Sequence, residues 1–190
     1  MKEARLRFAP LTPERWDAFA ELFGPRGACA GCWCMWWRLE RKDYRAGQGA
    51  TNKRRMKRLV EKEPPGLLAY AGKRAVGWVA LAPRSEYSGL ARARTLKPVD
   101  DQPVWSVTCF YVAKDFRRRG TTTALLEAAA AYVRRRGGRI LEGYPSPPGG
   151  PWPDAFAYTG LVPAFERAGF HLAAKPSGAR RIMRRTLTKD

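Results

Sequence analysis

Residues 104–144 read as strand, glycine turn, helix and strand with almost no slack between them. Residues 104–112, VWSVTCFYV, are rich in the β-branched and aromatic side chains that suit a pleated, half-buried strand. Gly120 precedes a helical run over 121–136. Leu125, Leu126, Ala129, Tyr132 and Val133 return to one side of that run, and Gly137-Gly138 closes it. Residues 139–144, RILEGY, read as a second strand. Two strands joined through a helix lie parallel in one sheet, with the helix covering a face. The remaining chain has to be arranged around this β-α-β unit.

The other segments predict antiparallel neighbours. Residues 67–71 and 75–82 are strand-like and flank Gly72-Lys73-Arg74, a hairpin signal. Residues 5–9 suit an edge strand, and two short strands follow around 170–174 and 180–187. Thr12 before Pro13 reads as an N-cap with proline at the first helical position, and Trp16, Phe19, Ala20 and Phe23 follow at helical spacing. A polar, basic helix is expected over 52–63, stopped by Pro64-Pro65-Gly66, and a short one ending at Arg167-Ala168-Gly169. Residues 83–103 form a long connection of the kind that carries function. Residues 145–153, PSPPGGPWP, hold five prolines and fit neither a helix nor a strand interior. The expected class is α+β: a mixed, mostly antiparallel sheet of about six to seven strands flanked by helices. At 190 residues, the reading is one domain over 1–190.

Charge narrows the partners. Thirty-six Lys and Arg against 17 Asp and Glu give +19, which points to an anionic partner. No apolar run approaches the roughly 18–20 residues that a membrane helix needs. The opening MKEARLRFAP has no apolar signal core. Cys29, Cys32 and Cys34 crowd together while Cys109 stands apart, which is no disulfide framework. The reading is a cytoplasmic protein with reduced thiols and no membrane partner.

The turn after the first strand of the β-α-β unit carries the chemistry. Arg117, Arg118 and Arg119 precede Gly120, Thr121, Thr122 and Thr123 at the start of the helix. A helix N-terminus offers unpaired N–H groups and a positive dipole end, and glycine permits close approach of a ligand. Hydroxyls and arginines add donors and charge, so the turn suits a pyrophosphate. Its spacing is neither a Walker loop nor a dinucleotide-binding turn.

The segment FYVAKDFRRRGTTTALLEAAAAYVRRRG resembles the donor-binding motif of the GNAT N-acetyltransferase superfamily. That motif runs from a strand to Gln or Arg, two residues, Gly, one residue, Gly or Ala, and a helix. Arg117 and Gly120 match, and Thr122 stands where Gly or Ala is usual. Pro163-Ala164-Phe165-Glu166-Arg167-Ala168-Gly169-Phe170 resembles the second hallmark, Tyr-Glu-Lys-x-Gly-Phe. The CWCMWWR segment resembles a bacterial branch of the superfamily. The resemblance implies acetyl-CoA as co-substrate, its diphosphate on the amides of residues 118–123 and its pantetheine along Phe110, Tyr111 and Val112, with Phe165 nearby. It implies direct attack of an amine, from a small molecule or a protein, on the thioester. The family's acid is a Tyr where this chain has Phe165, and its base a Glu where this chain has Ser106. Tyr158, near the last helix, and Glu142, on the strand after the crossover, are the alternatives, with Glu86 and Asp154 on the long loops. Tyr144 shares a strand face with Glu142.

Trp33, Trp36 and Trp37 cannot all face one way, so at least one is expected to line the acceptor pocket. Three cysteines without a second pair do not suit zinc, and they read as small apolar residues in a tight aromatic helix start, with no metal. His171 reads as structural. The alternative readings are a non-catalytic acyl-CoA-binding protein and a nucleic-acid-binding module, the latter raised by Arg54-Arg55-Met56-Lys57-Arg58, by Arg134-Arg135-Arg136 and by the basic C-terminus. These runs are dispersed and match no known reading motif, so the enzyme is favoured, as a monomer or homodimer.

Overall fold

The structure is a computed structural model and describes residues 5–149 and 158–188. Seven strands form one sheet in the order β1-β2-β3-β4-β5-β7-β6. They are β1 (Leu6–Pro10), β2 (Gly66–Ala71), β3 (Arg74–Pro83), β4 (Trp105–Val112), β5 (Ile140–Gly143), β6 (His171–Ala174) and β7 (Ile182–Thr186). Only β4 and β5 pair in parallel; all other neighbours are antiparallel. This is the mixed sheet expected, with the β-α-β unit at its centre.

Alternation along β3 sorts the core into two faces. Val79 and Leu81 point to the side covered by α5 (Thr121–Arg135), where Leu125, Leu126, Ala129, Ala130 and Val133 are buried. Trp78 and Ala80 point to the other side, onto α1 (Trp16–Phe23) and α3 (Ala50–Lys62). A third apolar cluster lies under residues 83–103 and joins Trp37, Tyr87, Leu90, Leu96, Tyr144 and Ile182. No described helix is long and apolar enough to cross a membrane.

Several local expectations change. Thr12 caps nothing through its side chain. Its hydroxyl accepts from Arg15 Nη1 at 2.8 Å instead, and a 3-10 turn over Pro13–Arg15 leads into α1. The long connection is ordered by a short turn at Arg84–Glu86 and by α4 (Ser88–Arg92). A further short helix, α2 (Arg41–Ala46), follows the tryptophan segment. That segment is no helix start: residues 24–34 run as successive turns, with Ala28, Ala30, Trp33 and Cys34 all in the left-handed region. Trp33 closes the turns by packing against Trp16, Phe19 and Phe23.

The last helix, α6 (Val162–Arg167), is locked to the sheet through Phe165. This ring is fully buried between Phe110 and Phe170, 6.1 and 5.0 Å away between centroids. Gly143 and Gly160 make the room, since a Cβ at either would overlap it. Gly143→Ala is therefore expected to cost about 1–3 kcal/mol, as overpacking does. Adding Phe165→Leu should return part of that loss. Urea unfolding of the single and double variants checks both.

Candidate active site

β4 and β5 separate early. Their ladder holds Trp105↔Leu141, Ser106↔Glu142 and Val107↔Gly143 and goes no further. The next residue, Thr108, is the extra one of a β-bulge, because Val107 faces Leu81 while Cys109 faces Ala80. A bulge bends and twists its strand. Past Gly143 the chain turns toward α6 instead: the Ser146 N–H donates to the Gly160 carbonyl and the Val162 N–H to the Ser146 carbonyl, each at 3.0 Å. β4 continues to Val112 with β3 as its one strand partner among the described residues. A cleft opens between Cys109, Phe110, Tyr111 and Val112 on one side and residues 144–146 on the other.

The N-terminus of α5 stands at the end of β4. Gly120 caps it at φ 74° and Arg118 sits at φ 59°, two left-handed residues within three positions. Such alternation makes a concave run of N–H groups that favours anions. The Ala124 N–H donates to the Gly120 carbonyl at 3.0 Å, so the N–H groups ahead of it have no intrahelical acceptor. A Cβ at Gly120 would meet nothing within 4 Å, so the ground before the helix is open. The threonines differ from expectation. The Thr121 hydroxyl is buried and donates to the Phe116 carbonyl at 2.8 Å, and the Thr123 hydroxyl reaches the Ala164 carbonyl at 3.4 Å. Both therefore hold the turn and α6, leaving Thr122 as the hydroxyl without a recorded partner. Arg117 Nε binds the Val112 carbonyl at 3.0 Å, and Arg118 and Arg119 are exposed.

Glu142, Ser106 and Tyr144 are brought together, but inside the protein, each with no exposed surface. One Glu142 oxygen accepts from Arg84 Nη1 at 2.8 Å and from the Tyr144 hydroxyl at 2.6 Å; the other accepts from Arg184 Nε at 2.7 Å. With its one proton on Glu142, the Tyr144 phenol takes a second bond from Ser106 Oγ at 2.8 Å. Burial, and then the Glu142 carboxylate, raise the Tyr144 phenol well above its ordinary value, so it stays protonated. Tyr144, expected to line the acceptor pocket, is instead fully buried and reaches no surface. The two arginines, 58 and 42 residues from Glu142, are the partners that sequence spacing did not reveal. A hint lay in β7, where Arg184 shares by alternation the face of buried Ile182.

At the mouth of the cleft the arrangement differs. Tyr158 is partly buried and packs against the cluster of Trp37, Tyr144 and Ile182. Burial pushes its phenol up to about 12, only partly opposed by Arg180. Arg180 Nη2 donates to the Tyr158 hydroxyl at 3.2 Å, and its guanidinium lies 5.4 Å from the Trp37 ring centre and 5.6 Å from that of Tyr158. Trp33 is core, Trp37 is buried beneath Arg180, and Trp36 is partly exposed, set edge-on to Tyr44 at 5.0 Å. Phe165 reaches no open surface; its buried ring supports Phe110 from below. Glu86 pairs with Arg38 at 2.9 Å. Asp154 lies outside the described residues.

Cys34 and Cys109 come together as free thiols that share a hydrogen bond. Cys34 Sγ accepts from Trp78 Nε1 at 3.2 Å. A bond with Cys34 and burial raise the Cys109 thiol well above its ordinary value, and the same bond lowers Cys34. Among the described residues no group of three or more His, Cys, Asp and Glu side chains is placed to hold a metal ion. The basic runs are divided: exposed Arg54 and Arg58 lie on α3, Arg134 and Arg135 on α5, against opposite faces of the sheet.

A mixed sheet whose central parallel pair splays beside an open helix N-terminus is the frame of the chain. The model of the acetyltransferase (GNAT) family matches residues 33–145, and the chain belongs to that family. A comparison with curated protein sequences found no match. Among solved structures, the chain is similar to mosquito arylalkylamine N-acetyltransferase like 5b, with TM-score 0.58 and 12% identity over 96% of this chain and 100% of that one. It is also similar to a GNAT acetyltransferase from Streptococcus pneumoniae, with TM-score 0.56 and 14% identity over 97% and 100%. The PaiA N-acetyltransferase of Thermoplasma acidophilum, solved in complex with coenzyme A, gives 0.51 and 12% over 96% and 99%. At these identities the likeness is one of fold.

Removing one partner of a buried ion pair leaves uncompensated charge and typically costs about 3–5 kcal/mol. Glu142→Ala should destabilise the protein by that order. Asp115→Asn, which breaks the exposed pair with Arg74, should leave the denaturation midpoint nearly unchanged. Chemical denaturation of both variants makes the comparison.

Proposed function

We propose that this chain is an acetyl-CoA-dependent N-acetyltransferase, a single domain acting on an amine of a small molecule or protein. The observation that carries the reading is the early end of the β4–β5 ladder beside the open N-terminus of α5. The CoA diphosphate fits the free amides of residues 118–123, with Arg118, Arg119 and Thr122 at their edge. The pantetheine fits as an added strand along the backbone of Phe110, Tyr111 and Val112, which needs no particular side chain. This leaves the thioester near the bulge, between that edge and Tyr158.

The reaction asks little of the protein beyond placement. The amine nitrogen attacks the acetyl carbonyl, a C–N bond forms and the C–S bond breaks. Tyr158 donates its proton to the leaving thiolate, and the amine's proton passes to solvent. A phenol held near 12 remains protonated at neutral pH, as an acid must. We assign Ser106, Glu142 and Tyr144 to holding β4 against β5 at the root of the cleft, because their polar atoms already bind one another. Partly exposed Trp36 and Tyr158 form an aromatic wall for the acceptor, with Trp37 buried behind it.

Two variants test the reading. Gly120→Glu sets a carboxylate where the phosphate approaches, with space for the side chain, so calorimetry should lose CoA binding while the protein stays folded. Unchanged CoA affinity would remove the phosphate site. Tyr158→Phe should lower kcat at least about tenfold with CoA affinity near wild type. An intact kcat would exclude Tyr158 as the acid.

A further inference from the structure

We propose that the acceptor amine carries a carboxylate, which Arg180 and the indole N–H of Trp37 bind at the aromatic wall of the cleft. The inference rests on the acetyltransferase reading above and names the class of acceptor.

Arginines crowd this end of the molecule, and several of them are held by carboxylates. Arg84 and Arg184 bind Glu142 at 2.8 and 2.7 Å, Arg184 also binds Asp100 at 2.6 Å, and Arg38 binds Glu86 at 2.9 Å. Arg180 has no carboxylate partner among the described residues. Its recorded bonds go to neutral hydroxyls, Nε to Thr159 at 3.4 Å and Nη2 to Tyr158 at 3.2 Å. A guanidinium has five N–H donors in a fixed plane, and Nη1 of Arg180 has no acceptor among the described residues. Trp37 and Tyr158 both lie within stacking distance of that plane, which orders the group without using its edge.

The second observation is independent. Trp37 is 7% exposed, and its Nε1 is the one buried side-chain polar atom without a hydrogen-bond partner among the described residues. A buried N–H without an acceptor is costly and calls for an explanation. It belongs to the ring beneath Arg180, which has no carboxylate partner among the described residues. One oxyanion bound there would satisfy both. A carboxylate suits the planar guanidinium fork, with an oxygen left for the indole. The aromatic wall suits an apolar body between the carboxylate and the amine. The chemistry of transfer is unchanged: the amine gains the acetyl group, the thioester C–S bond breaks, and the carboxylate only orients the nucleophile.

Matched acceptors test this. In 4-(aminomethyl)benzoate and 4-(aminomethyl)benzamide the amine is nearly the same and only the charge of the distant group differs; phenylalanine and its amide supply a second spacing. Thiol release from acetyl-CoA gives kcat/KM for each acceptor. For at least one pair the acid should exceed the amide at least about tenfold, and in Arg180→Gln and Trp37→Phe that ratio should fall toward one. Because the ratio is taken within one variant, general damage to the fold cancels from it. Arg180→Lys, which keeps the charge and loses the fork, should fall between. Wild-type ratios near one, or ratios unchanged in both Arg180→Gln and Trp37→Phe, would overturn the inference while leaving the acetyltransferase reading intact. Absence of CoA binding by calorimetry, or of thiol release with every amine, would instead overturn that reading itself.

Discussion

The ion pair of Glu142 with Arg84 and Arg184 is the constraint on which the cleft depends. It joins four parts of the chain at one buried point: the end of β3, β5, β7 and, through Tyr144 and Ser106, the start of β4. Parallel β4 and β5 share only three residue pairs, too few to hold by backbone bonds alone. The network sits beside those pairs and fixes where they end. A buried pair is weak evidence for stability, since hydrophobic replacements often do as well. Its value here is geometric: two strands are pinned at one end so that they can diverge at the other.

The divergence has two further supports. The bulge at Thr108 turns β4, and Phe165 wedges beneath the cleft in the room left by Gly143 and Gly160. Phe165 stands where the family has a tyrosine, so the position keeps the packing role of the ring and loses the proton donor. The same economy shows in α5, where Thr121 and Thr123 stabilise the turn and α6 while the backbone amides face outward. Side chains build the shape, and the backbone amides are left for the donor that we propose.

The β-α-β unit was legible in the sequence because its signals are local: β-branched residues, a glycine before a helical run, and two glycines after it. The seven strands followed for the same reason, and so did the fold. Tyr144 and Glu142 were correctly placed on one strand face by alternation. What alternation could not say is that this face is sealed, because Arg84 and Arg184 arrive from distant segments. Arg180 was hidden in the same way, as one more residue of a basic C-terminus. Residues 24–34 misled for a different reason. Left-handed backbone is foreshadowed by glycine, whereas Ala28, Ala30, Trp33 and Cys34 adopt it with no signature in the sequence.

Those four residues also bear on how the molecule comes together. Each costs roughly 1–2 kcal/mol relative to right-handed backbone, so the segment has no tendency to take this shape by itself. It is imposed from outside, by the fit of Trp33 among Trp16, Phe19 and Phe23 and by the bond from Trp78 to Cys34. The sheet and α1 must therefore assemble before residues 24–34 can take this shape, and a segment held only from outside has no local nucleus of its own.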